Sequence, residues 1–352
     1  MTLDDAVVSP MIDLHAHHFP RALTESSTTP TGPRWPHLRP GTDGRGQIMV
    51  GDAVFRHVTA DLWDVETKLL ALDRAGIGVQ VVSPVPVMLC TWADAADAAA
   101  YCRAVNVALA EDVATAPSRL RGLGAVPLQD VERAVVELHH AVATLGLLGV
   151  EIGTSVEGVD LDDPRLHPFW AAAEDLGAVV FVHPMDGGGG VVRRAGQPYD
   201  FGLGMLTDTA IAAGGLVFGG VLARFPALKV VLAHGCGSFA WSYPRLRLGD
   251  QVWNGGDPAM SDDRARSLWV DTLVLDPEHL RILVHRFGPD KVVLGTDHPF
   301  FPAVTAGARD FVGDAVASGA LTRAQGEGVL HRNAAELLGL GSPSTTQPAE
   351  TS

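Results

Sequence analysis

The stretch Ile12-Asp13-Leu14-His15-Ala16-His17 decides the fold that this sequence predicts. It is a short apolar run, typical of a buried strand, and it carries two histidines at its end. Side chains two residues apart on a strand point the same way, so both imidazoles can face one interior. An H-x-H pair alone is a weak signal, because random sequences produce it often. Its meaning therefore depends on what the other strands carry.

Seven further apolar runs follow, and most are continuous rather than alternating. This pattern is typical of strands that are covered on both faces in a parallel sheet. The eight predicted strands are Met11–Ala16, Val79–Ser83, Gly122–Val126, Gly149–Ile152, Ala178–Val182, Lys229–Ala233, Leu268–Asp271 and Lys291–Thr296. The segments between them mostly have room for a helix. The alternation predicts an α/β fold, a (β/α)8 TIM-type barrel.

Helical spacing supports this alternation at three places. Apolar residues at 3-4-3 spacing run from Leu62 to Leu72 and stop near Gly76. A second helix is predicted after the capping residue Asp130, with Gly146 as its end. A final helix is predicted over Arg323–Leu338.

The barrel is predicted to be one domain over residues 11–340, preceded by an N-terminal tail, 1–10. Residues 20–60 are rich in Pro, Gly, Thr and charge, and they separate the first strand from its helix. An insertion at this point lies on the catalytic face of a barrel, so we expect a lid or a substrate wall. Residues 341–352 are expected to form a disordered C-terminal tail.

Composition excludes several classes of function. The 352 residues carry 26 Lys and Arg against 41 Asp and Glu, a net charge of −15, which argues against a nucleic-acid surface. The longest uncharged stretch, Thr209–Ala223, is too short to span a membrane and is interrupted by glycines. Three cysteines without C-x-x-C spacing and a start without an export signal predict a cytoplasmic protein.

Three more potential metal ligands follow predicted strands. His183 comes after the fifth strand, His234 after the sixth and Asp297 after the eighth. The carboxyl ends of parallel barrel strands meet on one face, so these side chains and the first two histidines are expected to converge. Imidazoles with a carboxylate are a ligand set that zinc prefers, and Co²⁺, Fe²⁺ or Mn²⁺ also accept it. The sequence thus predicts a metalloenzyme.

Each residue also has an ordinary interpretation. The first two histidines could be hydrogen-bonded core residues, His183 could bond to a loop carbonyl, and Asp297 could cap the next loop. Their joint position at the ends of four strands favours ligation. None of the three lysines of the chain ends the fourth strand, where a two-metal hydrolase would need a carbamylated lysine, and Glu151 lies there instead. A single metal ion is therefore favoured.

Other segments carry a more specific resemblance. They are Val54-Phe55-Arg56, the run from Val79 to Met88, Val150-Glu151-Ile152-Gly153-Thr154, Phe181-Val182-His183-Pro184, the run from Phe225 to Val230, His234-Gly235, Arg245 and Leu294-Gly295-Thr296-Asp297. With the opening stretch they resemble the decarboxylating branch of the amidohydrolase superfamily, and within it the aminocarboxymuconate-semialdehyde decarboxylases. The resemblance extends from about Met11 to Leu340.

This resemblance implies a role for each residue of the centre. His15, His17, His183 and Asp297 would hold one Zn²⁺ per subunit, with a water in the remaining position. His234 would be the general acid/base rather than a ligand. Asp297 would also belong to the catalytic groups, since it or His234 would deliver the proton that replaces CO₂.

Two arginines are implied as substrate ligands. Arg56 would clamp a substrate carboxylate, and Arg245 would reach the neighbouring subunit's site across a homodimer interface. A guanidinium can hold a carboxylate through two parallel hydrogen bonds and stays charged in an acidic protein. Without the resemblance, either arginine could be an ordinary surface ion pair.

The chain departs from the family pattern at three places near the expected pocket. Cys236 interrupts a usual glycine triplet, Met185 stands where a tryptophan is frequent, and His298 replaces a frequent tyrosine. We therefore expect the reaction of the family to apply to this chain with more certainty than the family's substrate does.

The resemblance implies a metal-dependent, non-oxidative decarboxylase of a small unsaturated or aromatic carboxylate, similar to aminocarboxymuconate semialdehyde. A hydrolase of an amide, ester or lactone on the same barrel is the alternative. A non-catalytic metal-binding barrel is the third hypothesis. No feature of the sequence predicts a nucleic-acid or membrane partner.

Overall fold

The computed structural model describes residues 10–25, 30, 32–185, 188 and 190–340. Of the predicted tails, 1–10 and 341–352, all residues except Pro10 lie outside the described residues. The described strands are β1 (Met11–His18), β2 (Pro36–Pro40), β3 (Arg45–Val50), β4 (Ala53–Thr59), β5 (Ile77–Pro84), β6 (Leu120–Ala125), β7 (Gly149–Ile152), β8 (Ser155–Val156), β9 (Val159–Asp160), β10 (Val179–Val182), β11 (Lys229–Leu232), β12 (Trp269–Asp271) and β13 (Val292–Val293).

Helices connect these strands. The described α-helices are α1 (Ala22–Glu25), α2 (Val65–Ala75), α3 (Ala95–Ala114), α4 (Val131–His139), α5 (His167–Leu176), α6 (Met205–Phe218), α7 (Val221–Arg224), α8 (Phe239–Gly249), α9 (Pro258–Ser267), α10 (His279–Phe287), α11 (Pro302–Ala306), α12 (Ala308–Ala317), α13 (Arg323–Glu327) and α14 (Asn333–Leu338). Wider π-type turns extend four of them, over Asp200–Gly204 before α6, His140–Thr144 after α4, Asp250–Asn254 after α8 and Gly328–Arg332 between α13 and α14.

One parallel sheet of eight strands forms the centre, in the order β1-β5-β6-β7-β10-β11-β12-β13. The first strand also bonds to the chain around the last. The amide N of Leu14 donates to the carbonyl O of Leu294 at 2.9 Å, and that of Asp297 donates to His15 at 2.8 Å. These bonds bring the two ends of the sheet together, and the predicted (β/α)8 barrel is confirmed.

The predicted strands all exist, and the differences lie at their ends. β1 runs two residues further, to His18, whose buried Nε2 lies 2.9 Å from an Asp112 carboxylate oxygen. β13 is shorter than predicted, because regular pairing stops at Val293 and Asp297 adopts a left-handed backbone with φ of 55°. The chain thus leaves the strand just where it delivers a functional side chain.

The predicted helix signals act as expected. The Asp64 carboxylate caps α2 by accepting from the amide N of Thr67 at 2.8 Å, and Gly76 ends that helix with φ of 68°. The Asp130 carboxylate caps α4 in the same way. The predicted final helix is one run of α13, a π-type turn and α14.

The insertion after β1 contains a three-stranded antiparallel sheet, β2-β3-β4, which the sequence analysis did not predict. Its apolar side, with Leu38 and Ile48, shares a buried cluster with Phe19 and Val85, which follow or end barrel strands, and with Tyr101 of α3. The sheet therefore packs on the end of the barrel where β1 and β5 finish. Movement as a lid remains a prediction.

The helical run Asp200–Arg224 is long and apolar enough, by length and composition alone, to cross a membrane. However, 44% of its most apolar window is buried inside the protein, where Ala213, Leu216 and Val217 belong to the main core. The run therefore has the character of a core helix of the barrel.

Asp13 connects the strands at which the barrel closes. Its fully buried carboxylate accepts from the side-chain amide of Gln80 at 2.8 Å and from the hydroxyl of Thr296 at 2.7 Å. It also accepts from the amide N of Thr296 at 3.1 Å. One side chain of β1 thus satisfies donors on β5 and on the segment after β13.

We expect Asp13→Asn to lower the free energy of unfolding by about 2 kcal/mol, because an amide group would face donors that need an acceptor. Thermal and denaturant unfolding of the metal-free protein measure this change. Asp314→Asn, at an exposed position on α12, is the matched control and should leave the midpoint unchanged. Equal effects of both substitutions would contradict the assignment.

Candidate metal centre

Four of the predicted side chains meet at the carboxyl end of the barrel. His15 and His17 come from β1, His183 follows β10, and Asp297 follows β13. One ligand atom from each lies within 4.8 Å of all the others, and all four residues are buried. The structure thus brings together the complete set of metal ligands that the resemblance implied.

Hydrogen bonds orient the three imidazoles through their Nδ1 atoms. Nδ1 of His15 lies 2.7 Å from Oδ2 of Asp271, and Nδ1 of His17 lies 3.1 Å from the carbonyl O of Pro84. Nδ1 of His183 lies 2.8 Å from the carbonyl O of Pro184. Because carbonyls and carboxylates accept, each Nδ1 is the donor, and Nε2 is the ring atom left for the centre. Histidines that bind metals are usually held in this way.

The atoms that face one another have no hydrogen-bond partner among the described residues. They are Nε2 of His15, His17 and His183 and Oδ1 of Asp297. Burial of four such acceptors without a partner costs several kcal/mol, whereas a divalent cation satisfies them all. The residues present therefore fit a divalent metal ion.

The pKa shifts of His183 and Asp297 agree with this donor set. Burial lowers the pKa of His15, but the hydrogen bond with Asp271 outweighs it and raises the pKa to about 9, so metal binding would displace the proton on Nε2 of His15. Burial, and then the neighbouring imidazoles, lower the pKa of His183 well below its ordinary value, so its ring is neutral at pH 7. Burial by itself raises the pKa of Asp297, but the adjacent imidazole of His17 and the charge of His15 hold it below the usual value. A neutral imidazole and an ionised carboxylate are the forms that bind metals.

His234 lies beside this group without being one of its converging ligands. Its ring centroid is 4.9 Å from that of His183 and 5.4 Å from that of His15. Burial, followed by the charge of His15, lowers the pKa of His234 to about 4. Its Nδ1 is buried and has no hydrogen-bond partner among the described residues. This is a neutral base next to a metal site.

Asp271 organises the centre, and the sequence analysis missed this role. Its carboxylate accepts from the amide N of His234 at 3.0 Å and from that of Gly235 at 2.8 Å, besides holding Nδ1 of His15. The His234 backbone is left-handed, with φ of 57°, and these bonds stabilise that turn. The sequence contains a signal for this role, since Asp271 is the acidic last residue of the seventh predicted strand.

A second buried network lies under β1. The Lys68 ammonium donates to the carbonyl O of His17 at 3.1 Å and lies 3.4 Å from Nδ1 of His298. Nε2 of His298 lies 3.1 Å from an Asp61 carboxylate oxygen. His298 therefore supports the strand end and the insertion, and its place in the substrate pocket stays a prediction.

The other two departures from the family pattern also pack into the interior. Cys236 is fully buried in the main apolar core, and burial raises the pKa of its thiol well above the ordinary value. Met185 packs against the buried cluster of Leu89, Cys102 and Ala125. The Cys236 thiol is therefore not a reactive group of the site.

Arg56 and Arg245 occupy different environments. Arg56, exposed on β4, has its guanidinium 4.2 Å from the centroid of Phe300, whose ring is in turn 5.4 Å from that of His17. It thus stands beside the centre. Arg245 is exposed on α8 and lines an outer groove with Asp160 and Asp162. In the described part of the chain, Arg245 does not join the metal ligands of its own subunit.

Glu151 closes the back of the site at the end of β7. Its Oε2 atom lies 3.7 Å from Nδ1 of His17, and burial raises the pKa of this carboxyl to about 8. The side chain is therefore protonated at neutral pH and adds no negative charge.

Comparison with known proteins agrees with the fold. The family model described as amidohydrolase matches residues 12–340. The chain is 35% identical over 296 residues to a 2-amino-3-carboxymuconate-6-semialdehyde decarboxylase from Dictyostelium discoideum, covering 82% of this chain and 81% of that protein. These values place it in the same family as that enzyme.

Solved structures share the architecture at lower identity. A 2,6-dihydroxybenzoate decarboxylase in complex with 2,6-dihydroxybenzoate aligns with a TM-score of 0.73 and 21% identity, covering 95% of this chain and 100% of that one. A dihydroxybenzoic acid decarboxylase from Polaromonas sp. JS666, with bound manganese and 2-nitroresorcinol, aligns with a TM-score of 0.70 and 21% identity, covering 95% and 98%. With the family match over almost its whole described length, the chain belongs to the amidohydrolase family.

Proposed function

We propose that the protein is a metal-dependent, non-oxidative decarboxylase of a small unsaturated or aromatic carboxylate, similar to aminocarboxymuconate semialdehyde. The observation that carries this proposal is a neutral His234 beside a converging set of three histidines and one aspartate, in a chain 35% identical to a decarboxylase. Three relatives of this chain are named decarboxylases, and no observation favours the hydrolase alternative. The protein thus functions as a carboxy-lyase.

The metal in the proposal is Zn²⁺, one per subunit, because three imidazoles and one carboxylate suit it best. When bound, a divalent metal supplies Lewis-acid charge that polarises the oxygens of the substrate. His15, His17, His183 and Asp297 are the residues that would hold it. The manganese in the Polaromonas structure makes Mn²⁺ the competing candidate.

The chain's own residues then orient the substrate and move a proton. Arg56 binds a carboxylate above Phe300 and holds the substrate against the centre. In decarboxylation the bond from the ring or chain carbon to the carboxyl group breaks, CO₂ leaves, and the electron pair stays on the carbon. His234, neutral at pH 7, takes up one proton from solvent water and donates it to that carbon, where it joins the electron pair left by CO₂. A C–H bond replaces the C–C bond, without an oxidant.

The proposal includes a homodimer in which Arg245 reaches the neighbouring site. Large apolar side chains lie exposed near Arg245 on α6, on α8 and in the turn after it: Ile211 (44% exposed), Trp241 (80%), Leu248 (58%), Val252 (60%) and Trp253 (82%). A monomer rarely leaves so many large apolar groups in water on one face. A second copy of the chain would cover them and carry Arg245 with it. We keep a reducing, cytoplasmic location as part of the same proposal.

The metal content of two variants tests whether His183 is a metal ligand and His234 only lies beside the metal. Plasma mass spectrometry should find about one zinc per chain in the purified protein and in His234→Asn, but at least tenfold less in His183→Asn, which loses one of four ligands. Thermal unfolding should show a matching loss of stabilisation by added Zn²⁺. Equal metal loss in both variants would contradict the separation of His234 from the ligands.

Activity tests the role of His234. We expect His234→Asn to lower kcat by about 10²–10⁴-fold for CO₂ release under anaerobic conditions, because a general acid/base is lost. His139→Asn, on the exposed end of α4, is the matched control and should keep full activity. Wild-type turnover in His234→Asn would contradict the role of His234 as the general acid/base.

Subunit mixing tests Arg245. Arg245→Ala and His234→Ala should each be nearly inactive as pure proteins. Random pairing at equal amounts makes half of the dimers mixed, each with one intact site, so about a quarter of wild-type activity should return. Inactive mixtures, with mixed dimers verified by mass spectrometry, would rule out action across the interface.

A further inference from the structure

An apolar chamber of about 430 Å³ opens beside His234 at the carboxyl end of the barrel. Its walls are the helical run that ends in α6, the start of α8, the loop after β12 and α10. Leu206, Leu273, Ile282 and Leu283 supply most of the apolar wall, and His234 with Gly235 forms one side. Neither Arg56 nor the four converging ligands line the chamber. It is therefore a second compartment that shares only the catalytic imidazole with the metal centre.

Aromatic and aliphatic side chains surround the mouth. The rings of Phe201 and Phe301 face each other there, with centroids 5.7 Å apart. Leu275 stands at the same opening, 57% exposed, on a left-handed backbone with φ of 60°. Leucine is uncommon in this conformation, and such strain is typically kept where it serves a function. A ligand that enters the chamber therefore meets apolar side chains at its opening.

The turn of the catalytic histidine forms part of the wall of this compartment. A Cβ atom at Gly235 would come within 2.3 Å of a Val274 methyl group and within 3.2 Å of Leu283, so only glycine lets the turn pack here. A molecule in the chamber must therefore lie against the His234 turn. The volume is within the range of about 300–1,000 Å³ that small-molecule sites occupy.

We propose that the substrate carries an apolar substituent, such as a short alkyl chain, at the end opposite its carboxylate, and that this chamber holds the substituent. The inference rests on the proposed decarboxylase function. His234 lines the chamber, so a substrate whose reacting carbon lies at His234 can extend a substituent into it. A charged group there would lose its hydration without gaining a partner. The preferred substrate class is therefore an alkyl-substituted aromatic carboxylate.

The first experiment compares 2,6-dihydroxybenzoate with its 4-propyl derivative, in which carboxylate and alkyl chain lie at opposite ends of one ring. Burial of each methylene is worth roughly a factor of four, so three fully buried carbons should raise kcat/KM by about sixtyfold. CO₂ release by the metal-loaded enzyme measures both rates. A rate ratio near one would overturn the inference while leaving the decarboxylase function intact.

A cavity-filling variant tests the location. A Cβ atom at Gly202, on the chamber wall, would meet no atom within 4 Å, so leucine there is tolerated and takes up space at the mouth. We expect Gly202→Leu to lower the ratio of kcat/KM between the propyl and the parent substrate at least tenfold. Gly313→Leu, on α12, has the same open surroundings and is the matched control. An unchanged ratio in Gly202→Leu would overturn the inference.

Direct binding separates failure of the inference from failure of the proposed function. If neither acid is decarboxylated, isothermal titration of the metal-loaded protein with resorcinol and with 5-propylresorcinol still tests the chamber. Tighter binding of the propyl compound that Gly202→Leu abolishes would support it, and equal binding would overturn it. A shift of the sedimentation coefficient in Gly202→Leu without any change in preference would also overturn it, because the chamber would then be a contact between two copies.

Discussion

One carboxylate determines the geometry of the whole centre. Asp271, at the end of β12, holds Nδ1 of His15 and, with its two oxygens, the amide groups of His234 and Gly235. A ligand and the acid/base therefore share one anchor. Burial by itself raises the pKa of Asp271, but the hydrogen bond and charge of His15 hold it below the ordinary value, so it stays ionised. The spacing between base and metal ligand follows from this single interaction.

The barrel makes this arrangement possible because its parallel strands all deliver their last residues to one face. The ligands come from the first, fifth and eighth strands, which no local segment could bring together. The buried support below them is polar as well, since Lys68 and Asp13 satisfy backbone groups of β1 and of the segment after β13. The site is thus rigid by virtue of hydrogen bonds that lie outside the reaction itself.

The sequence was most informative where burial on both faces leaves a continuous apolar run, and all eight strands of the barrel were predicted for this reason. The ligands were predicted as well, because each stands directly after such a run. Asp271 escaped notice, since an acidic residue at a strand end has no distinctive pattern. The β2-β3-β4 sheet was missed because it has only one buried side and prolines at the ends of β2. The inward position of His298 depends on Asp61 and Lys68, which are distant in sequence.

Two functional residues, His234 and Asp297, adopt left-handed backbone conformations, with φ of 57° and 55°. Asp, Asn and His tolerate this region, whereas β-branched side chains are strained in it. Evolution at these positions is therefore restricted by the main chain before any chemistry is considered. Threonine or valine would be strained at either position with or without a bound metal, so the backbone limits the substitutions that the site tolerates.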